Sequence, residues 1–233
     1  YGIGTVAWPQ SKPFFSEATA AFFLLLCFAV QCGDCLKGKH FLLAGFALGM
    51  ALLTRVDSVV AFPALGLFAL LRAFETGMRR GADTRTALLR IVAFALPVIL
   101  ALVFIAGYNH FRFGSFTATG YEDQEEGIAF ETPILVGLYG QLFSAGKGLF
   151  VYSPVLILLF WALPRFVRKF PLQSLILLGV VAGYLVVMSK WRNWAGGWCW
   201  GPRHIFQVNC FLIVPLGVLF QKTHSQRHSD TQE

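Results

Sequence analysis

Seven stretches of the chain read as nearly continuous apolar runs: Ala18–Val30, Phe41–Leu53, Val59–Leu71, Ile91–Tyr108, Leu149–Leu163, Leu172–Met188 and Ile205–Phe220. Polar residues gather in the connectors between them. A helix perpendicular to a bilayer needs about 20 apolar residues to cross the hydrocarbon layer. The second and third runs fall short of this. Lys37 and Lys39 at one end and Arg72 at the other can lengthen them by snorkelling. The pair reads as a tight hairpin of two spans, with a re-entrant pair as the alternative. In hydrocarbon, strands leave N–H and C=O groups unpaired unless they close into a barrel, and the runs lack the strict alternation of barrel strands. The pattern therefore predicts an all-α polytopic bundle of about seven transmembrane helices. Pro63, Pro97 and Pro215 are expected to kink their spans, which membrane helices tolerate.

Composition agrees. Of 233 residues, 56% are hydrophobic and 13% charged, and Phe alone occurs 24 times. An ordinary soluble domain carries about 25% charged residues. Disorder, coiled coil and collagen are excluded by the same composition, since no heptad or glycine period runs through the chain. Residues 1–233 read as one membrane-embedded module. The chain opens at Tyr1 without Met or signal peptide, among loop-forming residues Gly2, Gly4, Pro9 and Pro13. It is expected to be a fragment that lacks earlier spans.

A formal charge of +7 raises the question of nucleic acid, and the placement of the charges answers it. The connectors Gly33–His40, Arg72–Arg90 and Pro164–Pro171 and the tail 221–233 hold most of the 19 basic residues. The positive-inside rule makes that side cytoplasmic. The basic residues set topology, and no nucleic-acid partner is expected. The opposite segments, 1–16, 109–148 and 189–204, are longer and rich in Gly, Trp, Tyr and acids. Function is expected on such loops, held outward by the helical scaffold. The chain is therefore expected to be multi-pass, with its active face outward.

Glu17 stands at the outer mouth of the first run. Its plain role is to complement the helix dipole, with Ser16 as N-cap. An acid at the membrane edge is costly enough to be a functional candidate as well. Thr54-Arg55-Val56-Asp57-Ser58 forms the outer turn of the short hairpin. There Asp57 is expected to cap the third helix and Arg55 to sit at headgroup level, and the two can pair and face the same cavity as Glu17. In the loop after Tyr108, His110 precedes an acidic cluster at Glu122, Asp123, Glu125 and Glu126. A divalent cation could be held there. The spacing matches no ligand signature, so no metal-binding residue is assigned. Pro133–Phe143, with Tyr139 and Gln141, is expected to lie along the interface.

The richest stretch is Lys190-Trp191-Arg192-Asn193-Trp194-Ala195-Gly196-Gly197-Trp198-Cys199-Trp200-Gly201-Pro202-Arg203-His204, which holds four of the six Trp residues. An aromatic belt explains the Trp but not Gly-Gly and Gly-Pro. Arginine offers phosphate a planar fork of donors, and aromatic faces suit sugar rings or prenyl chains. The stretch reads as an outer phosphate and sugar pocket. Lys12, Lys147, Lys190, Arg192 and Arg203 are the candidate phosphate ligands. Tyr121, Tyr139, Trp191, Trp194, Trp198 and His204 are the candidate sugar or acceptor contacts, and Arg55 and Asp57 support them. Cys32-Gly33-Asp34-Cys35 supplies only two of the four ligands a structural zinc needs. Cys27, Cys199 and Cys210 read as small buried or half-buried residues.

Several strings taken together resemble one family. They are Gly4–Lys12 followed by Phe14-Phe15-Ser16-Glu17, Phe113-Gly114-Ser115 with Thr119-Gly120-Tyr121, Leu142-Phe143-Ser144 with Gly146-Lys147-Gly148-Leu149, Tyr152-Ser153-Pro154, and Trp194–Arg203. The chain resembles bacterial GT-C glycosyltransferases of the protein-mannosyltransferase and aminoarabinose-transferase type, family 39, over nearly its whole length. The resemblance implies a GT-C-like fold, a polyprenyl-phosphate-linked sugar as donor, and an outward active site. It places Glu17 at the second acidic position of that site and the main catalytic acid upstream of Tyr1. No cofactor is implied beyond the donor substrate. Partners would be the lipid-linked donor, membrane lipids and an acceptor such as a glycolipid, a protein or a cell-wall polymer. The alternatives are a transporter or flippase of a lipid-linked or anionic substrate, and a binding module without catalysis.

Overall fold

The computed structural model describes residues 5, 16–78, 83–118, 130–197 and 199–221. Among them the regular structure is helical, with no strand. In chain order the helices are α1 (Glu17–Gln31), α2 (Gly38–Thr54), a 3₁₀ turn (Val56–Ala61) leading into α3 (Phe62–Met78), α4 (Thr84–Phe113), α5 (Ile134–Phe143) and α6 (Leu149–Tyr152). A 3₁₀ turn (Pro154–Leu158) then leads into α7 (Leu159–Lys169), which is followed by α8 (Pro171–Lys190). A short 3₁₀ turn (Arg203–Ile205) opens α9 (Phe206–Ile213), which tightens into a 3₁₀ segment (Val214–Phe220).

Four of these stretches are long and apolar enough to cross a membrane: Val56–Glu75, Thr84–Phe113, Pro171–Lys190 and Arg203–Phe220. Ser16–Gln31, Gly38–Thr54 and Ile134–Phe143 are apolar but shorter. The run Leu149–Leu163 does not form one helix. Ser153 sits at φ −137° and ψ 63°, because the ring of Pro154 disfavours helical geometry in the residue before it. The chain breaks there and resumes as a 3₁₀ turn. The connector expected at Pro164–Pro171 is also shorter than the sequence suggests. Pro164 lies inside α7, and only Phe170 separates α7 from α8. The connector expected at Arg72–Arg90 shrinks in the same way, with α3 running to Met78 and α4 starting at Thr84.

The core is built where small residues let helices close up. α2 packs along both α1 and α4. Gly45 and Gly49 lie one turn apart on the α4 side. A methyl group at Gly45 would collide with the Phe94 carbonyl, and one at Gly49 would stand 3.0 Å from the Pro97 carbonyl oxygen. In lipid, where no hydrophobic drive joins helices, such close backbone approach supplies the packing energy. α8 threads the middle and touches α3, α5, α7 and α9. Its fully buried Tyr184, Leu177 and Val180 belong to the same core as Phe68 and Phe211.

Alternating helices give the bundle two chemically distinct ends. Glu17, Thr54 and Lys190 fall at one end, Gln31, Gly38 and Pro171 at the other. At the Gln31 end the buried Arg72 does not snorkel to an aqueous surface. It donates to the Gln31 carbonyl at 3.0 Å and to the Gly33 carbonyl, and it holds Glu75 at 2.6 Å. A guanidinium thus caps carbonyls that the end of α1 leaves without helical partners. Arg90, also buried, donates to the Ala73 carbonyl at 3.3 Å.

Candidate functional site

The Glu17 end gathers its polar groups from segments far apart in sequence. Glu17 opens α1 and is fully buried. Its Oε1 accepts from Arg55 Nη1 at 2.7 Å and from Arg203 Nε. Arg55 sits at the junction of α2 and the following 3₁₀ turn, and Arg203 opens the turn before α9. Taking a carboxylate out of water costs several kcal/mol unless counter-charge and hydrogen bonds replace the lost hydration. Two guanidiniums and the positive end of α1 supply them.

Arg55 bridges to a second acid. Its Nε donates to Asp57 Oδ1 at 2.9 Å and its Nη2 to Asp57 Oδ2 at 2.9 Å, a fork on a carboxylate. Its Nη1 also reaches the Ser16 hydroxyl at 3.3 Å. Two expectations change here. Ser16 makes no side-chain cap on α1, and its oxygen accepts from Arg55 instead. Asp57 does not cap the third helix. It lies within the first turn of the 3₁₀ segment, turned onto Arg55. For Ser16 a charge-assisted bond displaces a neutral backbone one, which is about half as strong, and for Asp57 a bidentate guanidinium fork replaces a single backbone N–H.

A cavity of about 480 Å³ opens beside this network. Its polar wall is Ser16, Thr54, Arg55 and Asp57, and its apolar wall is made by valines of the 3₁₀ turn and α8 with Met188, Phe130 and Trp191. Arg203 does not line it. Behind Trp191 lies His204, ring centroids 4.6 Å apart. Among the described residues several buried polar atoms of this end make no hydrogen bond: Glu17 Oε2, the indole nitrogen of Trp191, both ring nitrogens of His204 and the amide of Gln207. Gln207 stands one helical turn beyond Arg203 and so shares its face.

The loop leading to Arg203 is shaped by its glycines. Gly196, Gly197 and Gly201 all have φ near +70°, a region costly for residues with a Cβ. Lys147 holds the loop from outside. Its Nζ donates to the Gly197 carbonyl at 2.7 Å and to the Cys199 carbonyl at 2.6 Å. That occupies the ammonium with loop backbone. Trp194 packs its ring on Gly140 of α5. Thr132 ties the preceding segment to α8 through the Lys190 and Trp191 carbonyls, at 3.2 and 3.1 Å.

Of the predicted residues, the structure brings together Glu17, Arg55, Asp57, Arg203, Trp191 and His204. Lys190 is half-buried at the end of α8, Arg192 is exposed, and Tyr139 is 66% exposed on α5. None of these three touches the Glu17 network. Lys12, Tyr121, Trp198 and the acids Glu122–Glu126 lie outside the described residues. Among the described residues no group of three His, Cys, Asp or Glu is placed to hold a metal ion. The apolar wall was missed by the sequence reading. Val59, Val60, Val187 and Met188 look like any span residues, and only their position in the terminal turns beside Arg55 and Trp191 sets them apart. No family model, curated protein or solved structure matches the chain.

Proposed function

We propose that the chain is a multi-pass membrane glycosyltransferase that moves a sugar from a polyprenyl-phosphate donor to an acceptor on the outward face of a bacterial inner membrane. One observation carries the reading. A buried carboxylate, clamped by two guanidiniums and with one oxygen unpartnered among the described residues, stands behind an apolar cavity whose polar wall carries one of those guanidiniums. A lipid phosphate bearing a sugar has the matching parts: a chain for the valine wall, an anion for Arg55, and hydroxyls for the unpartnered polar atoms. The same proposal takes Ser16–Gln31, Gly38–Thr54 and the broken run Leu149–Leu163 as additional spans, seven in all, in a GT-C-like bundle.

The chemistry is one inverting displacement. The acceptor oxygen forms a bond to the anomeric carbon as the bond from that carbon to the phosphate oxygen breaks. The electron pair leaves on the phosphate, where fixed cations in a water-poor site stabilise it best. The acceptor proton passes to a carboxylate acting as general base, which the resemblance puts upstream of Tyr1. Glu17 then orients Arg55 and Arg203.

The test is release of polyprenyl phosphate from polyprenyl-phosphate-linked hexose and pentose by the full-length protein purified from membranes. Release that falls at least a hundredfold in Glu17→Gln and in Arg55→Ala is expected. Undiminished release in Glu17→Gln removes Glu17 from the site. Passage of the intact donor across a proteoliposome, without cleavage, would make the protein a transporter instead.

A further inference from the structure

The opposite end of the bundle carries a second array of cations that the outer site does not use. α7 presents three stripes. Ala162 and Phe166 are buried, on the side that packs against α8 and the 3₁₀ segment Val214–Phe220. Phe160 and Val167 form a second stripe, and Phe160 is 80% exposed. Trp161, Arg165 and Arg168 follow at i, i+4 and i+7, with Lys169 beside them, and all four are exposed. Arg165 folds back to donate to the Trp161 carbonyl at 3.0 Å, which brings its guanidinium alongside the indole residue. Lys169 donates to Gln221 and lies 5.5 Å from the Phe170 ring centre. None of the three cations is ion-paired among the described residues.

The depth of this array follows from α8. That helix has 20 residues, about 30 Å at 1.5 Å per residue, which matches the hydrocarbon thickness. It begins at Pro171, two residues after Lys169. Arg165, Arg168 and Lys169 therefore stand at the boundary where acyl chains meet headgroups, and Phe160 and Trp161 lie one to two turns deeper. Apolar rings below and exposed cations above complement an anionic phospholipid: acyl chain against Phe160, phosphate against the guanidiniums.

We infer that the Trp161–Arg165–Arg168–Lys169 face of α7 is a binding site for the headgroup of an anionic bilayer phospholipid, at the end of the bundle remote from Glu17. The inference rests on the membrane reading and not on the sugar-transfer reading, so either can fail alone.

Native mass spectrometry of the full chain in detergent, titrated with phosphatidylglycerol and separately with phosphatidylcholine, tests it. The chain should retain phosphatidylglycerol preferentially. Arg165→Gln with Arg168→Gln leaves the Lys169–Gln221 bond in place. At about 1 kcal/mol per cation, it should cut the preference roughly thirtyfold at low ionic strength. Arg165→Lys with Arg168→Lys should keep most of it, which separates lost charge from lost fold. Lys37→Gln with Lys39→Gln, an equal charge change at the same end where α2 begins, should leave it unchanged. The site is overturned if the double glutamine variant retains phosphatidylglycerol like the parent. It is equally overturned if the Lys37 and Lys39 variant loses it as strongly, because the effect would then be diffuse charge.

Discussion

Arg55 divides its fork between two carboxylates. One edge lies on Asp57 at 2.9 Å and the remaining terminal nitrogen reaches Glu17 at 2.7 Å. An ammonium is a single point of charge on a flexible stem and cannot hold both directions. Arg55→Lys is therefore expected to behave more like a deletion than a conservative change. It strips a buried carboxylate of one of its two cations, a loss of about 3 kcal/mol. The midpoint of thermal unfolding in detergent should fall nearly as far in Arg55→Lys as in Arg55→Ala. If Arg55→Lys unfolds at the parent temperature, the fork is not what holds the cluster. The residue types of this site were legible in the sequence: Glu17, Arg55, Asp57, Arg203, Trp191 and His204 all stand out as polar or amphipathic groups at span ends. Their pairing was legible only in part, because it depends on which of several cations lies nearest in space. Lys147 and Arg203 look equivalent in sequence. Only the folded loop gives the first to backbone carbonyls and the second to Glu17.

Among the elements, α2 shows how lipid changes the rules of packing. With no hydrophobic drive between helices, contact depends on how closely backbones approach. Gly45 lets α2 reach the carbonyl of Phe94 on α4. Gly66, by contrast, has open space where a Cβ would go. Gly45→Val forces α2 from α4 and should cost about 1–3 kcal/mol or more by overpacking, seen as a lower unfolding midpoint. Gly66→Ala gains helix propensity of about 0.8–1.0 kcal/mol and should hold or raise the midpoint. A Gly45→Val protein as stable as its parent would mean that α2 and α4 do not pack this way. Helix identity was readable here because backbone groups in hydrocarbon have few other ways to pair. Helix ends were not. The break at Ser153 follows from Pro154, and α7 continues through Pro164 to Lys169, neither of which the hydrophobic run reveals.

For the whole molecule, the question is which end faces out, and the polarity of the ends supplies an expectation. Lys37, Lys39, Arg72, Arg85, Arg90 and the α7 cations share one end, and the Glu17 cluster and the Gly196–Arg203 loop share the other. The positive-inside rule assigns the first end to the cytoplasm. Native Cys35 reports on it, being exposed between α1 and α2. The other thiols at that end and in the core stay silent. Burial pushes Cys32 up to about 11, with the Arg72 guanidinium opposing, so at pH 7 it remains protonated and unreactive, and Cys27 and Cys210 are buried. Cys199→Ser removes the half-buried thiol of the other end, and Thr117→Cys places a new one just beyond α4, where Thr117 is exposed. A membrane-impermeant maleimide added to intact spheroplasts at pH 7 is expected to label Thr117→Cys and to spare Cys35 until the membrane is opened. Labelling of Cys35 first would invert the bundle. The Glu17 cluster would then face the cytoplasm, out of reach of an outward acceptor, and the anionic-lipid face of α7 would belong to the outer leaflet.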